Sequence, residues 1–172
     1  VQGFTNLWDL ESLERKSKNA KKAVIVGGGL IGIEVAEMLR TRNIDVTFLV
    51  REEHYWSNVL PHEESVVVEN HIREHHIDLQ LETELSEIIG DEHGHVRAVK
   101  TSKGDVIDCE IVVLAAGVRP RTELAERSGI PIGRGILVND MFESDVPNVY
   151  AIGDCAERPD RKIDLLWYTG RA

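Results

Sequence analysis

Six consecutive residues, Gly27-Gly28-Gly29-Leu30-Ile31-Gly32, carry the most specific chemistry in this chain. They fit GxGxxG, a spacing suited to holding a pyrophosphate. Gly27 allows a tight turn, and Gly29, lacking a Cβ, lets the backbone approach a phosphate. Gly32 lets the following helix pack close to its sheet. A helix starting here would offer free amides and about half a positive charge to an anion. The bland alternative is a plain tight turn.

A second position selects among dinucleotides. An acid about 20 residues past the glycines binds the ribose hydroxyls of NAD, whereas a nearby arginine accepts the 2′-phosphate of NADP. Here that place holds Val50, followed by Arg51, Glu52 and Glu53. The acid is displaced and an arginine is in reach, which tilts the choice toward NADP. A shift of register would make Glu52 a ribose ligand, and solvated loop charges are the third reading.

The elements around these residues follow from periodicity. Residues 7–18 read as a helix with Leu7, Leu10 and Leu13 recurring, capped by Thr5 or Asn6. Residues 23–26, Ala-Val-Ile-Val, suit a central parallel strand covered on both faces. The glycines break that run. A helix over 30–42 follows, with Ile31, Val35, Met38 and Leu39 at helical spacing, then a strand over 45–50. Strand, glycine turn, helix, strand is a βαβ unit, and this context favours the nucleotide reading over the plain turn.

Beyond it lie a helix over 61–75, its mixed faces marked by Val66, Val67, Asn70 and Ile72, and a strand over 77–81. Strands at Leu85–Gly90, Val96–Thr101 and Val106–Asp108 form an expected β-meander, with turn residues between them. A strand over 111–115, a short helix over 122–128 stopped by Gly129, and short strands over 135–139 and 149–152 complete the reading. The tail after Asp154 reads as irregular and charged.

Composition bounds the partners. The chain has 172 residues, 42% hydrophobic and 29% charged, close to the average for a globular protein. Thirty acids against 20 bases give a net charge of −10, which speaks against nucleic acid and anionic membrane surfaces. No apolar run approaches the roughly 18 residues of a membrane span, and the start lacks a signal-peptide pattern. The cysteines, Cys109 and Cys155, form no CxxC and read as structural, reduced thiols of a cytoplasmic protein. The start at Val1, without a methionine, suggests a piece of a longer chain.

Three further stretches make the Rossmann reading more particular. Gly32-Ile33-Glu34-Val35-Ala36 follows the turn. Val112-Val113-Leu114-Ala115-Ala116-Gly117-Val118-Arg119-Pro120 closes the middle of the chain. Val149-Tyr150-Ala151-Ile152-Gly153-Asp154-Cys155-Ala156 stands near the end. In this order the set resembles the FAD-dependent pyridine nucleotide–disulfide oxidoreductases. That superfamily includes NADH oxidases, ferredoxin and rubredoxin reductases, CoA-disulfide reductases and nitrite reductase large subunits.

The resemblance implies roles residue by residue. Gly27, Gly28, Gly29, Leu30, Ile31 and Gly32 match the pyridine-nucleotide pyrophosphate loop. Glu34 matches an acid near the nicotinamide and flavin, with an exposed helix glutamate as the alternative. Ala116 and Gly117 match the strand end that approaches the nucleotide. Gly153 and Asp154 match the site of the flavin ribityl chain, where a carboxylate accepts hydrogen bonds from a polyol. Arg51 matches an arginine of NADPH-using members, although the second arginine often found six residues on is Ser57 here.

The expected architecture is α/β. A Rossmann-like NAD(P)H-binding domain (parallel sheet, helices and β-meander) spans 1–117. An incomplete C-terminal return segment of an FAD-binding domain spans 118–172. The resemblance implies that an N-terminal FAD-binding half, with its own GxGxxG and any redox cysteines, and a dimerisation domain are expected outside this sequence.

The parent enzyme would pass a hydride from NAD(P)H to FAD and on to an unidentified acceptor. The isolated chain would bind NAD(P)H, turn over little and hold FAD weakly; half-exposed strands leave homodimer pairing open. A non-catalytic NAD(P)-sensing or interaction module is the competing class. A self-contained dehydrogenase lacks support, because no Ser-Tyr-Lys set or metal triad is found.

All seven histidines fall between His54 and His95. His71 and His75 share a helix face, but nothing completes a tetrahedral site, so a solvated face is favoured over metal. His54-Tyr55-Trp56 reads either as a lining for the adenine edge or as a loop packed on the helix near Pro61.

Overall fold

A computed structural model describes residues 1–159; the part of the charged tail from residue 160 on lies outside the described residues. The first unit, Val1–Gly117, is built on a parallel sheet. Helix α1, Leu7–Ser17, is capped by Asn6, whose Oδ1 accepts the Asp9 N–H at 3.0 Å. Of the leucines spaced by three, only Leu13 is fully buried, while Leu7 is 67% exposed. Each step of three falls about 60° short of a full turn, so the row winds off the buried face.

Strand β1, Lys22–Val26, leads through the glycines into α2, Leu30–Arg40, and then β2, Asp45–Leu49. Helix α3, His62–Glu74, precedes β3, Ile77–Gln80. The meander follows as β4, Leu85–Gly90, β5, Val96–Thr101, and β6, Val106–Asp108. Strand β7, Ile111–Leu114, returns to the main sheet, whose order is β3-β2-β1-β7, all parallel.

Burial explains the all-apolar β1. Ala23 and Ile25 join one core with Val35, Leu39 and Phe48, while Val24 joins another with Val99, Cys109 and Val112. One face of the sheet carries helices and the other carries the meander, so neither face of β1 meets water. An unforeseen contact lies at the β7 edge, where Gln2 N–H donates to Val112 O at 3.0 Å and Leu114 N–H donates to Gln2 O at 2.9 Å.

Helix α3 departs from the expected faces. Its fully buried positions are Ser65, Glu69 and Ile72, whereas Val67 is 68% exposed. The spacing of four and three sets a carboxylate in the stripe that faces the protein.

The second unit begins at Val118. It contains helix α4, Glu123–Arg127, and two short parallel strands, β8, Ile136–Leu137, and β9, Ala156–Glu157. Val138, Ala151 and Ala156 form its small core. The strand expected over 149–152 does not form. Tyr150 makes one isolated bridge to Glu143, Ala151 N–H donates to Phe142 O at 3.0 Å, and Ile152 is 74% exposed. An apolar run becomes a strand only where a neighbouring backbone continues the ladder.

Candidate functional site

The turn between β1 and α2 uses each glycine differently. Gly27 has φ +119°, and a Cβ there would lie 2.3 Å from the Ala115 carbonyl oxygen. A Cβ on Gly28 would lie 2.8 Å from Val50 Cγ1. On Gly32 it would lie 2.3 Å from the Gly27 carbonyl oxygen and 2.9 Å from Phe48 Cε2. These three are required by the protein's own packing. Gly29 is different, because a Cβ there meets nothing within 4 Å among the described residues.

Gly29 is also the N-cap of α2, in extended conformation and with no side-chain cap. The amides of Leu30 and Ile31 open the helix without acceptors among the described residues. An uncapped helix N-terminus beside open space is an anion site in both charge and geometry. Across the sheet, Ala115 N–H donates to Val26 O at 2.8 Å, which places the end of β7 beside the turn. Ala116 and Gly117 follow as exposed residues, with Gly117 at φ +100° and space around it.

Glu34 sits on the exposed side of α2, with no hydrogen bond or ion pair among the described residues. Gly153 and Asp154 belong to the second unit. Gly153 has φ +79° and opens a single 3-10 turn, and Asp154 is exposed and unpaired among the described residues.

The place after β2 is built from longer-range contacts. Val50 is fully buried, so its side chain packs on Gly28 instead of reaching a ligand. Its N–H donates to Gln80 O at 3.0 Å, and its carbonyl accepts the Thr83 N–H at 2.9 Å. The Glu52 carbonyl accepts the Glu82 N–H at 3.0 Å. Arg51 Nε donates to Glu52 Oε1 at 2.8 Å while its side chain stays 72% exposed. Glu52 first, then Glu84, hold the guanidinium pKa above its ordinary value. In the sequence Arg51 and Glu52 are alternative ligands, but the structure brings them together as a pair.

The 54–56 loop packs onto α3. Glu69, which sequence reasoning misses, accepts the Tyr55 N–H at 2.9 Å on Oε1. His54 Nδ1 lies 3.2 Å from the same oxygen, and Arg73 reaches the other carboxylate oxygen at 3.6 Å. Tyr55 is buried, with its ring centroid 6.0 Å from that of Phe48. Burial pushes its phenol pKa up to about 12, and its hydroxyl has no partner among the described residues. The 65, 69, 72 stripe that carries Glu69 emerges from burial in the structure and has no apolar signature in the sequence.

His71 and His75 meet edge to face, with ring centroids 4.5 Å apart and planes at 77°. Among the described residues no group of three His, Cys, Asp or Glu side chains is placed to hold a metal. Cys109 is buried, and burial raises its thiol pKa to about 11, with Glu110 adding to the effect. Cys155 donates to Ile152 O at 3.3 Å.

A parallel sheet whose first strand turns through glycines into an uncapped helix defines a Rossmann-like α/β protein. The particular family follows from comparison with known proteins. The chain belongs to the pyridine nucleotide-disulphide oxidoreductase family, whose profile matches residues 1–166.

It is 34% identical over 157 residues to a nitrite reductase [NAD(P)H] of Bacillus subtilis, covering 91% of this chain and 19% of that protein. A ferredoxin reductase of Rhodopseudomonas palustris superposes with TM-score 0.87 at 28% identity, covering 92% of this chain and 39% of that one. An FAD-dependent pyridine nucleotide-disulphide oxidoreductase of Desulfovibrio vulgaris superposes with TM-score 0.80 at 29% identity, covering 90% and 40%. The chain therefore spans well under half the length of these proteins. No helix among the described residues is long and apolar enough to cross a membrane.

Proposed function

We propose that the chain is the NAD(P)H-binding domain of a flavoprotein oxidoreductase, residues 1–117, followed by a return segment of the FAD-binding domain. The observation that carries this reading is the space at Gly29 beside the amides of Leu30 and Ile31, which have no acceptor among the described residues. Those amides would hold the pyrophosphate, so a chain of net charge −10 needs no lysine there. Gly27, Gly28 and Gly32 keep the turn tight, and Ala116 and Gly117 bound the same site from β7.

When bound, the nicotinamide donates a hydride and a flavin accepts it; that chemistry belongs to the cofactors. This chain's residues bind and orient. Asp154, exposed on its turn, is the carboxylate offered to the flavin ribityl hydroxyls, with Gly153 shaping the approach. One carboxylate and one turn make a partial flavin site, so this chain alone holds FAD weakly and turns over little. Glu34, exposed on α2, is the acid assigned to the nicotinamide side.

Arg51 remains the basic side chain for a 2′-phosphate and tilts the choice toward NADP. Its bond to Glu52 gives the site an acceptor for ribose hydroxyls as well, in keeping with a relative named for NAD(P)H. The electron acceptor is a partner protein or small oxidant reached through the FAD-binding half; a ferredoxin fits one structural relative. Two unpaired cysteines support a cytoplasmic setting.

Titration of the chain with NADH and NADPH, followed by nicotinamide fluorescence, tests the reading. Saturable binding of either supports it, and no binding of both at millimolar concentration overturns it.

A further inference from the structure

Glu69 is a buried carboxylate with no place in the binding turn. It is 5% exposed and sits in the inward stripe of α3. Its contacts gather the segment that follows β2: the Tyr55 N–H at 2.9 Å and His54 Nδ1 at 3.2 Å, both on Oε1. Arg73, one turn along α3, lies 3.6 Å from Oε2 and leaves no carboxylate oxygen without a charged or donor partner. A buried carboxylate is costly unless it is satisfied in this way.

The same segment carries Arg51 and Glu52 at its start, with Val50 packed on Gly28. From the turn after β3, the Glu82 and Thr83 amides bond the carbonyls of Glu52 and Val50. Two non-glycine residues at this corner, Trp56 and Glu82, have φ +58° and φ +51°. Such conformations persist only where the surroundings hold them, and they concentrate at ligand sites. The backbone from 50 to 56 is thus fixed at both ends, by the 82–83 amides at one and by Glu69 at the other.

We propose that Glu69 is a positioning residue for dinucleotide recognition. It pins His54 and Tyr55 so that the Arg51–Glu52 pair presents one arrangement to the adenosine end of the ligand. This rests on the NAD(P)H reading given above. Glu69 itself touches no ligand and acts through the segment.

Double-mutant cycles on the full 172-residue chain test it. Glu69→Gln is combined with Arg51→Ala for NADPH binding and with Glu52→Gln for NADH binding, with thermal melts alongside. Alone, Glu69→Gln is expected to weaken binding about fivefold, no more than loss of the pair residue it positions, since small misplacements of positioning contacts already carry a measurable cost. In at least one cycle the effect disappears once the pair residue is gone. Effects that multiply within about twofold in both cycles, or no effect of Glu69→Gln, overturn the proposal.

If Glu69→Gln does not fold by circular dichroism, His54→Ala at the half-exposed rim replaces it in both cycles. Loss of its effect in at least one cycle then supports the proposal, and multiplying effects in both, or no effect, overturn it. A wild-type chain that binds neither dinucleotide overturns the underlying reading, and is distinguishable from additivity in a chain that binds.

Discussion

The 27–32 turn and the 50–56 segment lie side by side, joined where Val50 packs on Gly28, yet they are built by opposite means. The turn is made of missing side chains and free amides, local features fixed by backbone sterics. The segment is made of side chains held from a distance: Glu69 from α3, and Glu82 and Thr83 from the turn after β3. On the proposed reading the turn would hold any pyrophosphate, whereas the segment would tell one ribose from another, so that the general contact rests on backbone and the selective one on tertiary structure.

The sharpest way to break the contrast is within the turn itself. Gly27→Ala forces a Cβ to 2.3 Å from the Ala115 carbonyl oxygen at a φ of +119°. It is expected to cost about 3 kcal/mol or more of stability, read from urea unfolding. Gly29→Ala meets open space, so its unfolding midpoint should stay near wild type. Its NAD(P)H affinity should nevertheless fall about tenfold, because the methyl stands where the backbone would meet phosphate. If both variants only unfold the protein, the turn is structural and the contrast fails.

In the segment, Arg51→Ala should weaken NADPH about fivefold in a fluorescence titration and leave NADH and the unfolding midpoint nearly unchanged. An equal loss for both dinucleotides would remove the selective role.

Tyr55→Phe gives the smallest effect, and it concerns the packing beneath. It deletes a buried hydroxyl without a partner among the described residues, so stability should hold or rise by less than about 1 kcal/mol. The phenol pKa is pushed up to about 12 in the folded protein. An unfolded tyrosine loses its proton near pH 10, so the folded state binds it more tightly. That contribution is intact below about pH 10 and is lost as pH rises toward the folded value, and Phe should flatten this alkaline limb in chemical denaturation.

The same contrast explains what is legible in the sequence. The glycine turn, the βαβ unit and the three meander strands follow local rules: steric freedom, apolar runs and turn residues. Their bounds emerge nearly as expected. Glu69 is not legible, because its partners, Tyr55 and His54, are 14 and 15 residues away on a loop. Val66 and Val67 stand out more in the sequence, although Val67 is 68% exposed. The Arg51–Glu52 bond reads as two options, since spacing alone does not show that adjacent charges pair outside a helix. The strand expected over 149–152 fails for a related reason: its apolar residues have one bridge, at Tyr150, where a ladder is needed.

The central claim is that an open glycine and free helix amides hold a dinucleotide pyrophosphate. Parallel titrations of wild type and Gly29→Ala with NADH and NADPH test it most directly. Saturable binding to wild type is expected, with about tenfold weaker binding to the variant at an unchanged unfolding midpoint. Equal affinities in the two proteins, or no binding to either at millimolar dinucleotide, would contradict it.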